Sequence, residues 1–300
     1  MSKRKEKQWM KPSFDLDFEE NSLPKKAKVQ NSSRGLSQKV SISKELTDSK
    51  NNGPILNIDH KSWMKNFDPV VIEDLAIHNK KILEVEQWIK SASSGNHSEM
   101  LLLTGPVGSG KTITIHTLTK KYNIKITEWI TPLDIDLPSA NGEFEYREKQ
   151  STKFLDFIIN AANFTSLLDN NTNKLVLVED FPNTFLRNPV EFHDVLQQYK
   201  FRAKSPIVFI CSESHTDGKN TTSSLFTPSI QEKFKIHQIA FNSVSATGLK
   251  SALKRVSEII SKNHTSVYNI PTADMIDCVV NSSAGDVRSA VLNLHFACLK

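Results

Sequence analysis

One stretch of eight residues restricts the fold more than any other part of the chain. Gly105-Pro106-Val107-Gly108-Ser109-Gly110-Lys111-Thr112 satisfies G-x-x-x-x-G-K-[ST] in full. It follows the apolar run Leu101–Thr104 and opens a stretch that reads as a helix, which is the strand–loop–helix setting the pattern requires. Glycines let the backbone wrap a phosphate with its N–H groups turned inward. The helix that follows offers its N-terminus and partial positive charge to the β-phosphate. Lys111 would reach the β- and γ-phosphates, and the Thr112 hydroxyl would ligate Mg²⁺. The pattern therefore predicts ATP with Mg²⁺ as ligands, and an α/β fold to present them.

The rest of the chain divides in three. Residues 1–56 are rich in Ser, Lys, Asn and Glu and lack sustained periodicity, which predicts a disordered basic and polar tail. Within it, Pro24-Lys25-Lys26-Ala27-Lys28-Val29 reads either as a nuclear address or as a solvated charge run. Residues 57–241 alternate strand and helix patterns. Helices are expected over Ile72–Ile89, Thr112–Tyr122, Phe154–Leu168 and Val190–Tyr199, and strands over Met100–Leu103, Ile124–Ile130, Leu175–Val178 and Ile207–Cys211. Such alternation with short links implies crossover units and a parallel sheet. Ser212–Ser224 is polar and reads as a loop. Residues 242–300 switch to helical spacing throughout, over Ala246–Ser261, Thr272–Asn281 and Gly285–Leu299, as a small module after the core.

Composition narrows the function classes. The 300 residues carry a net charge of +5, with 38% hydrophobic and 24% charged residues, as in a soluble globular protein with a polar tail. The basic balance permits nucleic acid as a partner without demanding it. No apolar run approaches the roughly 18–20 residues of a membrane span, so no membrane association is expected. Lys3, Arg4, Lys5 and Lys7 precede no apolar stretch, which excludes a secretory signal. Cys211, Cys278 and Cys298 lack pairing or metal spacing, and each sits in an apolar run, which predicts buried thiols in a reducing compartment.

A phosphate loop needs acid at the end of a neighbouring strand to hold the metal and orient water. Leu175-Val176-Leu177-Val178-Glu179-Asp180 supplies it, ended by Phe181-Pro182. Glu179 is the expected Mg²⁺ ligand and Asp180 the expected water-polarising residue. Glu at the metal is one methylene longer than Asp, and Asp180 is correspondingly short for its own role, so the motif supports binding more strongly than turnover.

Together the phosphate loop, the Leu175–Asp180 strand and Gly285-Asp286-Val287-Arg288-Ser289-Ala290-Val291-Leu292-Asn293 resemble the AAA+ P-loop NTPases of the clamp-loader group. The resemblance implies a parallel sheet flanked by helices, followed by a small helical lid. It gives Arg288 the role of reaching the γ-phosphate and Ser212 that of a polar sensor after the fourth strand. Trp63-Met64-Lys65-Asn66-Phe67-Asp68-Pro69 looks like the segment that packs near adenine in that group, with Asp68 where a basic residue is usual. Adding Leu75-Ala76-Ile77-His78-Asn79-Lys80-Lys81, Glu128-Trp129-Ile130-Thr131-Pro132 and Val178-Glu179-Asp180-Phe181-Pro182-Asn183, the set resembles the checkpoint clamp-loader large subunit of the Rad17/Rad24 type, over about residues 62–300.

What that resemblance implies is a nuclear ATPase subunit that joins four small replication factor C subunits. The assembly would load a ring-shaped heterotrimeric checkpoint clamp onto DNA, in DNA repair and chromatin binding at damage. Small subunits of the group carry S-R-C, whose arginine acts on a neighbour's ATP; the matching positions here are Glu232-Lys233-Phe234, and a lysine cannot present a bidentate fork. The site on this chain would then take an arginine from an adjacent small subunit. The group also has a helical collar after the lid; with its end at Lys300 the chain reads as a fragment, a short isoform or an incomplete gene model. Three other readings stand beside this one: a nucleotide-gated scaffold with negligible hydrolysis, a replicative clamp-loader subunit, and a small-molecule kinase, which predicts an arginine-rich substrate lid.

Overall fold

A parallel strand covered on both faces buries both of its side-chain rows, so its sequence is apolar without interruption. Three strands of this chain show that pattern: β1 (Met100–Gly105), β3 (Lys174–Val178) and β4 (Ile207–Ser212). In the computed structural model, which describes residues 63–95, 98–132, 149–164, 173–212 and 221–300, they form the centre of a five-stranded parallel sheet. Its edges are β2 (Lys125–Trp129) and β5 (His237–Ala240), and the order is β2-β3-β4-β1-β5. The tail, the basic cluster Pro24–Val29 and most of the loop Ser212–Ser224 lie outside the described residues.

Alternate strand residues face two separate cores. Leu101, Leu103, Leu175, Leu177, Val208 and Ile210 pack with α1 (Asn79–Ser94) and α2 (Lys111–Lys121). Met100, Leu102, Val176, Val178, Ile207 and Phe209 face the other side. There they meet α3 (Gln150–Asn163), α4 (Asn183–Arg187), α5 (Pro189–Arg202), α6 (Thr221–Leu225) and α7 (Pro228–Phe234). Phe181, Phe192, Phe209 and Phe226 interlock in this second core, with ring centroids 5.2 to 6.1 Å apart. Phe181 therefore pins the chain just after Glu179-Asp180, at about 1.5–3 kcal/mol for each fully buried side chain of this size.

Three helices follow: α8 (Ala246–Asn263), α9 (Ala273–Ser282) and α10 (Val287–Cys298). Each starts on a side-chain cap, Ser245, Thr272 and Asp286, which accept from the backbone N–H groups of Gly248, Met275 and Ser289. Leu249, Leu253, Val256, Ile276, Val280, Val291 and Leu294 fill a third core between them, and Phe67 from the opposite end of the described chain is buried in it.

The structure departs from the sequence reading at several places. The last residues of the loop expected over Ser212–Ser224 are helical, since α6 begins at Thr221 and is held by the burial of Leu225, and α4 and α7 are short helices that the periodicity does not mark. The helix expected over Ile72–Ile89 is a short 3₁₀ turn, Ile72–Asp74, then extended chain at Leu75, then α1. The restart is at His78, whose Nδ1 accepts from Lys80 N at 3.2 Å. The helix expected to begin at Phe154 begins at Gln150 and ends at Asn163. Strand β5 was not anticipated, because as an edge strand it buries only Ile239 and so leaves no apolar run. Cys278 is exposed, against the expectation of three buried thiols, because it lies on the outward face of α9; Cys211 and Cys298 are buried. No helix among the described residues is long and apolar enough to cross a membrane.

Candidate nucleotide site

Strand β1 ends at Gly105, and the loop Gly105–Gly110 turns the chain into α2. Gly108 and Gly110 adopt φ of 70° and 88°, in the left-handed region that glycine enters without a Cβ clash. At Gly108 the reason is also one of space, since a Cβ there would lie 1.7 Å from Asp286 Oδ1. Lys111 is the first residue of α2 and is 5% exposed. Its ammonium donates to the carbonyls of Gly105 (2.8 Å) and Pro106 (2.7 Å) and to Ser109 Oγ (3.4 Å), which holds it inside the loop. Thr112, the next residue, is half-buried.

The neighbouring strands bring up their ends. Ser212 of β4 is in register with Gly105 of β1, so the expected sensor and the start of the loop are adjacent. Glu179 follows the last residue of β3, and its Oε1 is buried without a hydrogen-bond partner. An acceptor in that state is costly unless a cation or donor meets it. From the third core, α10 docks on the loop: Val287 N donates to Gly108 O at 3.1 Å, and Arg288 stands in the first turn of α10.

These pieces enclose a cavity of about 420 Å³, a size typical of small-ligand sites. Val107, Gly108, Gly110, Lys111, Thr112, Glu179, Ser212 and Arg288 all line it. Gly105, Pro106 and Ser109 do not line it; they shape the loop and orient Lys111. Asp180 is exposed and lies outside the lining, one residue beyond Glu179 on the chain but turned away from the cavity. The rest of the wall is largely apolar, with Phe67, Pro69, Leu75, Ile77 and Val291.

Four further polar residues line the cavity, of which the sequence reading had named only Asp68: Asp68, Asp74, His116 and Arg255. His116 was findable, as it lies four residues after Thr112 on one face of α2. Arg255 had no local signal; it reaches the cavity only because α8 packs across it. Burial pushes the Asp68 carboxyl up from the usual range, opposed by the positive charges of Arg255, His116, Lys65 and Arg288. Burial likewise weighs against the Arg255 charge, which the Asp74 and Asp68 carboxylates support.

Among the described residues, no three His, Cys, Asp or Glu side chains gather as a metal-binding group. Mg²⁺ takes one or two protein oxygens and completes its shell with phosphate and water. Thr112 and the orphaned Glu179 Oε1 fit such a role. Lys233, at the position matching the trans-acting arginine, is exposed on α7, with its Nζ 5.1 Å from the Phe234 ring centroid.

The profile of the Rad17 P-loop domain family matches residues 56–224, more than half of the chain. The chain belongs to the Rad17 family. Cell cycle checkpoint protein RAD17 of Homo sapiens is 32% identical over 261 residues, which cover 81% of this chain and 38% of that protein. Checkpoint protein RAD24 of Saccharomyces cerevisiae is 26% identical over 271 residues, 81% of this chain and 40% of that protein. The replication factor C large subunit of Methanosphaera stadtmanae is 24% identical over 235 residues, 78% of this chain and 38% of that protein. The chain thus spans about two fifths of the length of these curated relatives. Among solved structures, a RuvB chain of Thermotoga maritima aligns with a TM-score of 0.46 at 13% identity, over 76% of this chain and 63% of that one.

Proposed function

We propose that this Rad17-family chain binds ATP with Mg²⁺ and serves as the ATP-binding large subunit of a DNA-damage checkpoint clamp loader. In this reading it joins small replication factor C subunits in the nucleus and loads a heterotrimeric checkpoint clamp onto DNA. Residues 57–241 act as the ATPase core and 242–300 as its lid. The observation that carries the reading is the enclosure of one cavity by the phosphate loop, the β3 acid, the β4 sensor position and the α10 arginine. The relatives' printed names, checkpoint proteins and a replication factor C large subunit, supply the biological setting.

Each residue has a task in that reading. The loop amides and Lys111 hold the β- and γ-phosphates. Thr112 and Glu179 hold the Mg²⁺, which neutralises phosphate charge when bound. Arg288 brings a positive charge from the lid to the γ-phosphate, and Ser212 offers a hydroxyl beside it. Apolar walls at Phe67, Pro69 and Val291 receive the base and exclude water.

A second reading, a nucleotide-gated scaffold with negligible hydrolysis, is favoured by one observation. Asp180, the acid assigned to polarise water, is outside the cavity, whereas Glu179 lines it. Phosphate release in a single turnover, with small subunits and primed DNA added, separates the two. Stimulated release supports the loader; ATP binding without stimulation supports the scaffold. Loss of Mg²⁺-dependent ATP affinity in Lys111→Ala, against retained affinity in the parent chain, tests the site common to both.

A further inference from the structure

The segment from Phe67 to Ile77 touches both the terminal helices and the phosphate loop. At one end, Phe67 is 4% exposed and buried in the core of the three C-terminal helices, edge-on to His264 at 6.3 Å. At the other, Ile77 lies against the phosphate loop so closely that a Cβ on Gly110 would be 2.5 Å from Ile77 Cδ1. Between them, α8 presses on the segment's backbone, since a Cβ on Gly248 would be 2.5 Å from Ala76 O. Seven residues of this segment line the cavity. It is a strap that forms the cavity's apolar wall and is held from both sides.

One side chain fastens the strap to the lid. Arg255, on α8, donates from Nη2 to Phe67 O at 2.6 Å and from Nη1 to Asp68 O at 3.5 Å. These are contacts of a charged donor with main-chain carbonyls 188 and 187 residues away in sequence. Arg255 lines the cavity, and its Nε is buried without a partner. Burying a guanidinium at that cost, with Asp68 and Asp74 nearby to support its charge, makes little sense for an arginine that only decorates a helix. A planar fork on two successive carbonyls fixes the direction of the strap in a way a single ammonium cannot.

We infer that Arg255 is a positioning residue for the nucleoside part of the bound nucleotide, acting by clamping the Phe67–Asp68 backbone so that the strap and α8 close on the base while the phosphate loop holds the phosphates. The inference rests on the reading of the cavity as a nucleotide site. It separates the cavity into a phosphate end that does not depend on Arg255 and a base end that does. Arg288 serves the first end and Arg255 the second, although both belong to the lid helices.

Calorimetric titration of the full chain with MgATP and with magnesium tripolyphosphate, which has phosphates and no nucleoside, tests this. In Arg255→Gln the ATP dissociation constant rises about ten-fold, the size of a lost charge-assisted hydrogen bond, while tripolyphosphate affinity stays within about two-fold of the parent. Arg255→Lys, which keeps the charge and loses the fork, shows the same split and serves if the glutamine variant does not fold. Unchanged ATP affinity in these variants, or equal loss for both ligands, overturns the inference. Loss of both ligands in Lys111→Ala, with both bound by the parent, shows the underlying nucleotide reading to stand independently. A parent chain that binds neither ligand removes that reading and this inference together.

Discussion

Glu179 and Asp180 are neighbours in the chain and opposites in surroundings. A strand alternates its side chains, and β3 ends so that Glu179 reaches the cavity with a buried, unpartnered oxygen while Asp180 meets solvent. Equilibrium titration should therefore find Mg²⁺-dependent ATP affinity reduced roughly ten-fold or more by Glu179→Gln, and within about two-fold of the parent in Asp180→Asn. A second carboxylate sets part of the fold's acid sensitivity. Glu86 is 7% exposed and accepts from Tyr122 Oη and from Lys121 Nζ at 3.0 Å. The Tyr122 hydrogen bond foremost, then Lys121, holds its carboxyl below the usual glutamate range. The folded-state value is thus lower than the unfolded one, so the stability it contributes is present at neutral pH and is lost as pH falls through the lowered value. Thermal unfolding should show Glu86→Gln less stable by about 1 kcal/mol at pH 7, where the lysine partners are screened by water, with the difference closing in acid.

Elements show where local preference yields to context. Helix α2 reads Lys-Thr-Ile-Thr-Ile-His-Thr-Leu-Thr, a β-branched alternation that favours a strand by propensity alone. It is a helix because the phosphate loop delivers the chain at Gly110 and because Ile115 and Leu118 pack into the core beneath the sheet; Thr114, Thr117 and Thr119 fit in by returning their hydroxyls to the carbonyls of Gly110, Ile113 and Ile115 at 2.7 to 2.8 Å. The junction of this loop with α10 leaves no room for a side chain at Gly108. Gly108→Ala would place a methyl group on the Asp286 carboxylate and strain a φ of 70°. Its expected cost is about 1–3 kcal/mol in thermal unfolding, with faster proteolysis between Phe241 and Val287 as α10 leaves the loop. Equal melting of variant and parent would show the Gly108–Asp286 packing to be incidental.

At the scale of the whole molecule, the cavity is lined by the sheet, the strap and the terminal helices α8 and α10, so a ligand there touches all of them at once. Nucleotide at 100 times its dissociation constant should stabilise the fold by about 2.7 kcal/mol. That is a rise of several degrees in melting temperature for a domain of this size, and Lys111→Ala should abolish it. The sequence alone determined the pieces whose signal is local: the loop at Gly105–Thr112, the continuous apolar rows of β1, β3 and β4, the acid after β3, and the helical spacing of the last sixty residues. Backbone-driven motifs and two-sided burial leave such marks because the physical demand falls on consecutive residues. The tertiary structure alone decided which of the two acids faces the cavity, where β5 pairs, and that Phe67 and Arg255 belong to one clasp. Those outcomes depend on residues up to 188 positions apart meeting in space. An edge strand with one buried side chain, or an arginine on an amphipathic helix, looks the same in sequence whatever it meets.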